Sequence, residues 1–192
     1  MLVENSRPGT DQELVRQSQQ GDAQAFRQLY QRYQGKVRST LYQLCGQQRL
    51  DDLVQEVFLR VWKGLPKLRQ TSFFATWLYR ITWNVANDER RQFAKQPSLQ
   101  DTDLSEVAGR VSRFQDSPDL MHLHYQDIVR RALASLSFEH RTVLVLHDLE
   151  DLPQKEIAAI LQLPTGTIKS RLFYARQAIR TFLQTQGVND AS

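Results

Sequence analysis

The chain has 192 residues, of which 24% are charged and 41% hydrophobic, and it carries a formal net charge of +4 with a pI near 9.4. This composition is ordinary for one large or two small globular domains, and the modest basic balance indicates nucleic-acid binding only weakly. The single cysteine, Cys45, excludes an intramolecular disulfide, and without an apolar run of about 18 residues or a signal-peptide pattern we expect a cytoplasmic protein with no membrane insertion.

Helical patterns fill residues 10–94, after a variable tail at 1–9. Thr10 or Asp11 can cap a first helix, which a Gly-Asp pair separates from a second helix over 23–45. Apolar side chains recur at helical spacing along the second helix, which predicts a helix with one buried face. No segment of this range has the alternation of a strand.

An acidic amphipathic helix follows from Asp51, and Gly64 and Pro66 end it. Its polar side is free either for solvent or for a partner. Its apolar side predicts a buried stripe. The stripe consists of Leu53, Val54, Val57, Phe58, Val61, Trp62 and Leu65.

The next helix is crowded with aromatic and basic residues after a short polar turn at 69–72. Trp77, Leu78, Ile81 and Val85 can face a core, but not every ring can be buried with them. Exposed rings beside arginines suit the stacking of unpaired bases. An aromatic-rich core is the alternative. The side chains concerned are Phe73, Phe74, Trp77, Tyr79, Trp83, Phe93, Arg80, Arg90 and Arg91.

Periodicity fails over residues 95–119, which hold two prolines and five acidic residues. We interpret this stretch as a flexible linker that keeps two modules apart. Its negative charge either mimics nucleic acid or is simply solvated.

The C-terminal module is predicted over residues 120–184, followed by a tail at 185–192. Two helices precede a helix-turn-helix pattern, in which Pro153 suits the start of one helix and Thr165 can cap the next. That last helix is basic on its outward side, which favours insertion into a DNA major groove over an unbound charged helix. The outward positions are Lys169, Ser170, Arg171, Phe173, Tyr174, Arg176, Gln177 and Arg180.

The sequence offers no arrangement of catalytic groups, and we expect no enzyme, no cofactor and no metal. His122 and His124 lie two residues apart and so point to different faces of a helix, unlike a helical zinc pair. The remaining histidines, His140 and His147, bring no cysteine or carboxylate cluster with them.

Two long motifs resemble those of one family. DDLVQEVFLRVWKGLPKLR with FFATWLYRITWNVANDERRQ resembles region 2 of the extracytoplasmic-function (ECF, group 4) sigma factors of the sigma-70 family, and LEDLPQKEIAAILQLPTGTIKSRLFYARQAI resembles their region 4. The resemblance implies an all-α fold of two small helical domains, a region 2 bundle at 10–94 and a region 4 helix-turn-helix at 120–184, joined by the linker.

The resemblance also implies three sets of binding residues. Core-polymerase binding is implied for Asp52, Gln55, Glu56 and Leu59. Contacts with the promoter −10 element are implied for Leu68, Arg69, Ser72, Phe73, Tyr79, Arg80, Trp83, Asn84, Asn87, Arg90 and Arg91. Contacts with the −35 element are implied for Thr165, Thr167, Lys169, Ser170, Arg171, Phe173, Tyr174 and Arg176.

The implied function is promoter-specific transcription initiation in response to stress or another signal. The implied partners are core RNA polymerase, through the clamp helices of its largest subunit and the β flap, promoter DNA and an anti-sigma factor. Lys169 and Tyr174 stand where family members often have arginine, so we expect an uncommon −35 sequence. Two alternatives are a helix-turn-helix regulator that is not a sigma subunit, and a helical adaptor that does not bind DNA.

Overall fold

The computed structural model describes residues 9–94 and 127–186, and both ranges are helical and contain no strand. The predicted all-α class is therefore confirmed. The predicted linker, most of both tails and the first residues of the second domain lie outside these ranges. The helices are α1 (Asp11–Gln19), α2 (Ala23–Cys45), α3 (Leu50–Gly64), α4 (Phe74–Ala94), α5 (127–134), α6 (Phe138–Leu144), α7 (Gln154–Leu161) and α8 (Thr165–Thr185).

Side-chain caps fix where the first two helices begin. The Thr10 hydroxyl accepts a bond from the Glu13 amide at 3.3 Å, and the Glu13 carboxylate accepts one from the Thr10 amide at 2.8 Å. Asp22 accepts bonds from two amides at the start of α2. These contacts satisfy amides that a helix N-terminus leaves without partners, and of the two predicted candidates, Thr10 and Asp11, they place the cap at Thr10.

The four helices of the first domain bury one apolar core. Tyr33 of α2 meets Phe74 of α4 edge to face, with ring centroids 5.4 Å apart. The predicted stripe of α3 lies in this core except for Trp62, which is 42% exposed. The predicted burial of Trp62 is therefore wrong, because its ring lies at the domain surface against Phe26.

The second domain contains the predicted helix-turn-helix. A π-helical turn at Val145–Leu149 joins α6 to α7, and a tight turn with Gln162 at φ 56° joins α7 to α8. The predicted cap at Thr165 is wrong. Pro164 occupies the cap position, and Thr165 already has helical geometry as the first residue of α8.

The two domains share apolar cores rather than standing apart. Tyr79 of α4 belongs to the buried cluster of the second domain, with Ile157, Ile168 and Leu172 among its members. In the other direction, the first domain's core includes second-domain side chains. These are Leu133, Leu136, Leu144, Val145 and Ala175.

No helix within 9–94 or 127–186 has both the length and the hydropathy needed to cross a lipid bilayer.

Candidate nucleic-acid interface

The polar face of α3 remains accessible in the folded chain. Asp52 and Gln55 are exposed, and Leu59 is 48% exposed although it is apolar. Glu56 is half-buried and accepts a hydrogen bond from Arg60 Nε at 2.7 Å. All four residues predicted to bind polymerase therefore lie on one side of α3.

A groove of about 510 Å³ runs between α2 and α3 beside this face. Trp62 packs edge to face on Phe26 with centroids 4.7 Å apart, and Tyr30 packs on Phe58 at 4.6 Å. Together with Leu59, these rings give the groove an apolar floor next to acidic side chains. Apolar patches rimmed by polar groups are typical of protein-binding surfaces.

Sequence reasoning missed the residue that holds the turn between α3 and α4. The Gln19 amide group donates to the Leu65 carbonyl at 3.0 Å and to the Leu68 carbonyl at 2.7 Å. These bonds fix the start of the turn at which −10 contacts are predicted. Within that turn Leu68 is half-buried, and the other predicted residues are exposed. They are Arg69, Ser72 and Phe73.

The −10 residues predicted on α4 divide by exposure. Asn84, Arg90 and Arg91 are exposed, whereas Arg80, Trp83 and Asn87 are half-buried and Tyr79 is buried. Each of these residues lies on α4. Contact between these α4 residues and −10 DNA remains a prediction.

Tyr79 is only 3% exposed because the second domain covers it. Its hydroxyl donates to Glu150 Oε2 at 2.8 Å. Burial, and then the bond to this carboxylate, raises the pKa of Tyr79 far above its usual range. Because the ring is enclosed, Tyr79 can touch DNA only after the domains separate.

The outward face of α8 is open to solvent. Lys169 and Ser170 are exposed, and Phe173 and Tyr174 are 64% and 54% exposed. The two rings pack edge to face with centroids 5.4 Å apart. Large exposed rings beside a lysine are typical of a binding surface rather than a core. The remaining predicted side chains near the start of the helix are half-buried. These are Thr165, Thr167 and Arg171.

Arg176 is exposed but its charge has a partner that sequence reasoning missed. Asp148, in the π-helical turn, accepts from Arg176 Nε at 3.0 Å and from Nη2 at 2.5 Å. The bond to Arg176 lowers the pKa of Asp148. This fork fixes the orientation of the guanidinium at the predicted −35 surface.

The histidines and the cysteine form no metal site in the described ranges, where no three potential ligands lie together. His122 and His124 lie outside these ranges. Cys45 is partly buried, with Sγ 3.9 Å from the Ala86 carbonyl. Burial raises the pKa of its thiol to about 11, so the reactive thiolate is scarce near neutral pH.

The two helical domains thus present an exposed face of α8 with lysine and aromatic side chains, and a separate apolar groove beside α3. The family described as sigma-70 region 2 matches residues 29–96, and sigma-70 region 4 matches residues 126–179. The matches fall on the two domains in the predicted order.

Curated relatives identify the branch of the family. The ECF RNA polymerase sigma-E factor of Escherichia coli (strain K12) is 36% identical over 181 residues, which cover 91% of this chain and 95% of that protein. The ECF RNA polymerase sigma-E factor of Haemophilus influenzae is 35% identical, with 91% and 96% covered. The chain therefore belongs to the ECF RNA polymerase sigma factors. The prediction of a sigma factor, rather than another regulator or an adaptor, is confirmed.

Solved structures agree on the fold. The sigma factor RpoE, solved in complex with the anti-sigma factor NepR from Bartonella quintana, superposes with a TM-score of 0.64 at 25% identity and covers 83% of this chain and 96% of its own. CnrH, solved with the cytosolic domain of CnrY, has a TM-score of 0.69 at 23% identity over 92% of this chain and 99% of its own.

Proposed function

We propose that this chain is a sigma subunit that binds core RNA polymerase through α3 and directs initiation by reading a −10 element with α4 and a −35 element with α8. The observation that carries the proposal is the solvent-exposed face of α8, where lysine and aromatic side chains stand together in a sigma-70 region 4 domain. The proposed domains are residues 10–94 and 120–184.

The groove beside α3 supports the polymerase-binding part of the proposal. Leu59 and Trp62 leave apolar surface exposed next to the carboxylates of Asp51 and Asp52. A helical partner with apolar and basic side chains would cover both. The clamp helices of the largest polymerase subunit are the proposed partner, and the β flap is the proposed partner of the second domain.

Energetics explain why the chain needs a polymerase. Unstacking DNA costs about 1.4 kcal/mol per base-pair step, so a bubble of about ten pairs costs on the order of 14 kcal/mol. Two or three bases stacked on aromatic side chains return only about 2–9 kcal/mol. The chain is proposed to recognise the promoter while the polymerase supplies the rest and performs the chemistry, so the chain itself is not an enzyme.

Regulation by an anti-sigma factor is part of the proposal. RpoE of Bartonella quintana was solved with such a partner, and this chain has the same fold over 83% of its length. A protein that covered the groove and the exposed face of α8 would block both polymerase and promoter. We place the protein in the cytoplasm, where polymerase and promoter are found.

Reconstituted transcription tests the proposal. The purified chain is added to sigma-free bacterial core polymerase on a genomic template pool, and transcript starts are sequenced. We expect starts preceded by a shared pair of elements. Two paired variants, Lys169→Ala with Arg176→Ala and Asp52→Ala with Glu56→Ala, should reduce them.

The variants separate the two binding steps. The α8 pair should lose starts while keeping affinity for core polymerase, and the α3 pair should lose that affinity. Lys155→Ala is a control in an exposed residue outside the predicted sites. Folded, inhibitor-free chain that neither binds core polymerase nor yields specific starts would contradict the proposal.

A further inference from the structure

The second domain contacts α4 through acidic side chains. Glu150 lies at the centre of this contact and accepts two hydrogen bonds from the first domain. Tyr79 Oη donates to Oε2 at 2.8 Å, and Thr40 Oγ1 donates to Oε1 at 3.0 Å. Both carboxylate oxygens are therefore engaged, one by α4 and the other by α2.

Two further glutamates extend the same contact along α4. Glu156 accepts a bond from Thr76 Oγ1 at 3.3 Å, three residues before Tyr79. Glu139 lies 3.6 Å from Arg90 Nη2 near the other end of α4. The acidic face, defined as Glu139, Glu150 and Glu156, thus follows the helix for about four turns.

Apolar contacts accompany the acidic face. The ring of Tyr79 is inserted among the buried side chains of the second domain, and Trp83 packs against the same cluster. The guanidinium of Arg90 lies over the Phe138 ring, 4.8 Å from its centroid. Arginine over an aromatic face is an attractive arrangement.

The groups engaged in this way are those proposed to hold the −10 strand. Tyr79 and Trp83 are candidates for base stacking, and Arg90 is a candidate for a phosphate contact. In the folded chain the Tyr79 ring packs against apolar side chains of the second domain, where a base would otherwise stack. The Arg90 guanidinium lies near the Glu139 carboxylate, where a phosphate would otherwise bind. One face of α4 cannot hold both partners at once.

We infer that the acidic face of the second domain is a docking surface for α4 of the same chain and competes with single-stranded −10 DNA, with Glu150 as its central residue. The inference rests on the proposed function only for the identity of the competitor, since the docking itself is independent of DNA. The apparent affinity for the −10 strand is then the intrinsic affinity multiplied by the fraction of chains in which the domains are apart.

The experiment uses the full chain with three changes. Glu150→Gln keeps the size of the side chain and removes its charge, and a triple variant adds Glu139→Gln and Glu156→Gln. Asp127→Asn is the matched control, because it removes one acid from the second domain where the partner is Arg130 rather than α4. The control therefore reports how much a simple gain of positive charge improves DNA binding.

Two quantities are measured for each chain. One is the affinity for a labelled single-stranded DNA with the −10 sequence obtained from the mapped transcript starts. The other is the radius of gyration from small-angle X-ray scattering without DNA. We expect Glu150→Gln to bind the strand about three- to tenfold more tightly than Asp127→Asn, as expected for losing hydrogen bonds to a charged group. The triple variant should bind more tightly again, with a larger radius of gyration.

Either of two results would overturn the inference. One is a wild-type chain that is already as extended as the triple variant, which would mean that the domains do not dock in solution. The other is a Glu150→Gln variant that gains no more affinity than Asp127→Asn, which carries the same change in charge, and this would mean that docking does not compete with the strand. Failure of the proposed function would look different from both results. Reconstituted transcription would then give no specific starts, while the scattering comparison would still show whether the domains dock.

Discussion

Helices α4 and α8 carry similar side chains, but the fold presents them differently. On α8, Phe173 and Tyr174 are more than half exposed beside Lys169. On α4, Tyr79 is 3% exposed and Trp83 is half-buried, both against the second domain. One proposed DNA surface is therefore open, and the other is largely covered.

The difference shows that an aromatic and basic pattern does not determine exposure by itself. The rings of α8 face solvent because Ile168, Leu172 and Ala175 on the opposite side already fill the core. The apolar side of α4 likewise packs in the first domain. The ring of Tyr79 points outward from that domain, but it is buried in the core of the second domain. The proposed DNA binding at α8 would require no rearrangement, whereas DNA contact with Tyr79 on α4 would require the two domains to separate.

The largest expected difference is in stability when each ring is removed. Tyr79→Ala should lower the free energy of unfolding by about 3 kcal/mol, because a buried aromatic side chain leaves a cavity and Glu150 loses a donor. Phe173→Ala should change it by no more than about 0.5 kcal/mol, since the ring is exposed. Urea unfolding followed by circular dichroism measures both. Equal losses would show that the two rings are equally covered.

Cys45 should react slowly in the folded chain, because burial raises the pKa of its thiol to about 11. The thiolate fraction at pH 8 is then about a hundredfold lower than for an unperturbed thiol. Because the pKa of the thiol is higher in the folded chain than in the unfolded chain, protonated Cys45 contributes stability below about pH 9. This contribution is lost as the pH rises from about 9 towards 11. Iodoacetamide labelling in native buffer and in urea tests the rate difference. Similar rates would mean that the site opens readily.

Substitution of Lys169 tests the exposed face of α8. Lys169→Ala should weaken binding of the full chain to duplex −35 DNA by about five- to tenfold and lower the salt slope by about one unit, as expected for a lost phosphate contact. Fluorescence anisotropy at several salt concentrations gives both values. Lys63→Ala on α3 is a control with the same change in charge. If the two variants weaken binding equally, the effect is general electrostatics rather than a contact of α8.

The smallest expected effect concerns Asp148, which holds Arg176. Asp148→Asn should tighten non-specific duplex binding about two- to threefold by removing a negative charge beside α8. The ion pair is partly exposed, so its loss should cost under about 1 kcal/mol of stability. Since the pKa of Asp148 is lowered, that contribution is present above about pH 4 and is lost as the pH falls through the lowered pKa. Weaker non-specific binding by Asp148→Asn would contradict this assignment.

Local chemistry in the sequence predicted the helices and much of the exposed surface. The cap at Thr10, the buried stripe of α3 apart from Trp62, and the exposure of Lys169 and Phe173 all follow from neighbours within one or two helical turns. The cap at Thr165 was wrong because the helix begins one residue earlier than a capping threonine requires.

Contacts between distant segments could not be predicted in this way. Gln19 meets carbonyls 46 and 49 residues away, and Thr40 meets Glu150 across 110 residues. No local pattern marks a glutamine that holds a turn or a glutamate that receives a tyrosine hydroxyl. The resemblance to a family placed Tyr79 at a DNA surface, but only the packing of the two domains shows that this surface is covered.

Hydroxyl-radical labelling with mass spectrometry measures directly whether Tyr79 on α4 is covered while Tyr174 on α8 is exposed. It compares Tyr79 with Tyr174 in the free chain and in the complex with core polymerase without DNA, and Tyr33, buried in the first domain, serves as the internal standard. We expect Tyr79 to be labelled as slowly as Tyr33 in the free chain, well below Tyr174, and to approach the labelling rate of Tyr174 once polymerase is bound. Equal labelling of Tyr79 and Tyr174 in the free chain would contradict it.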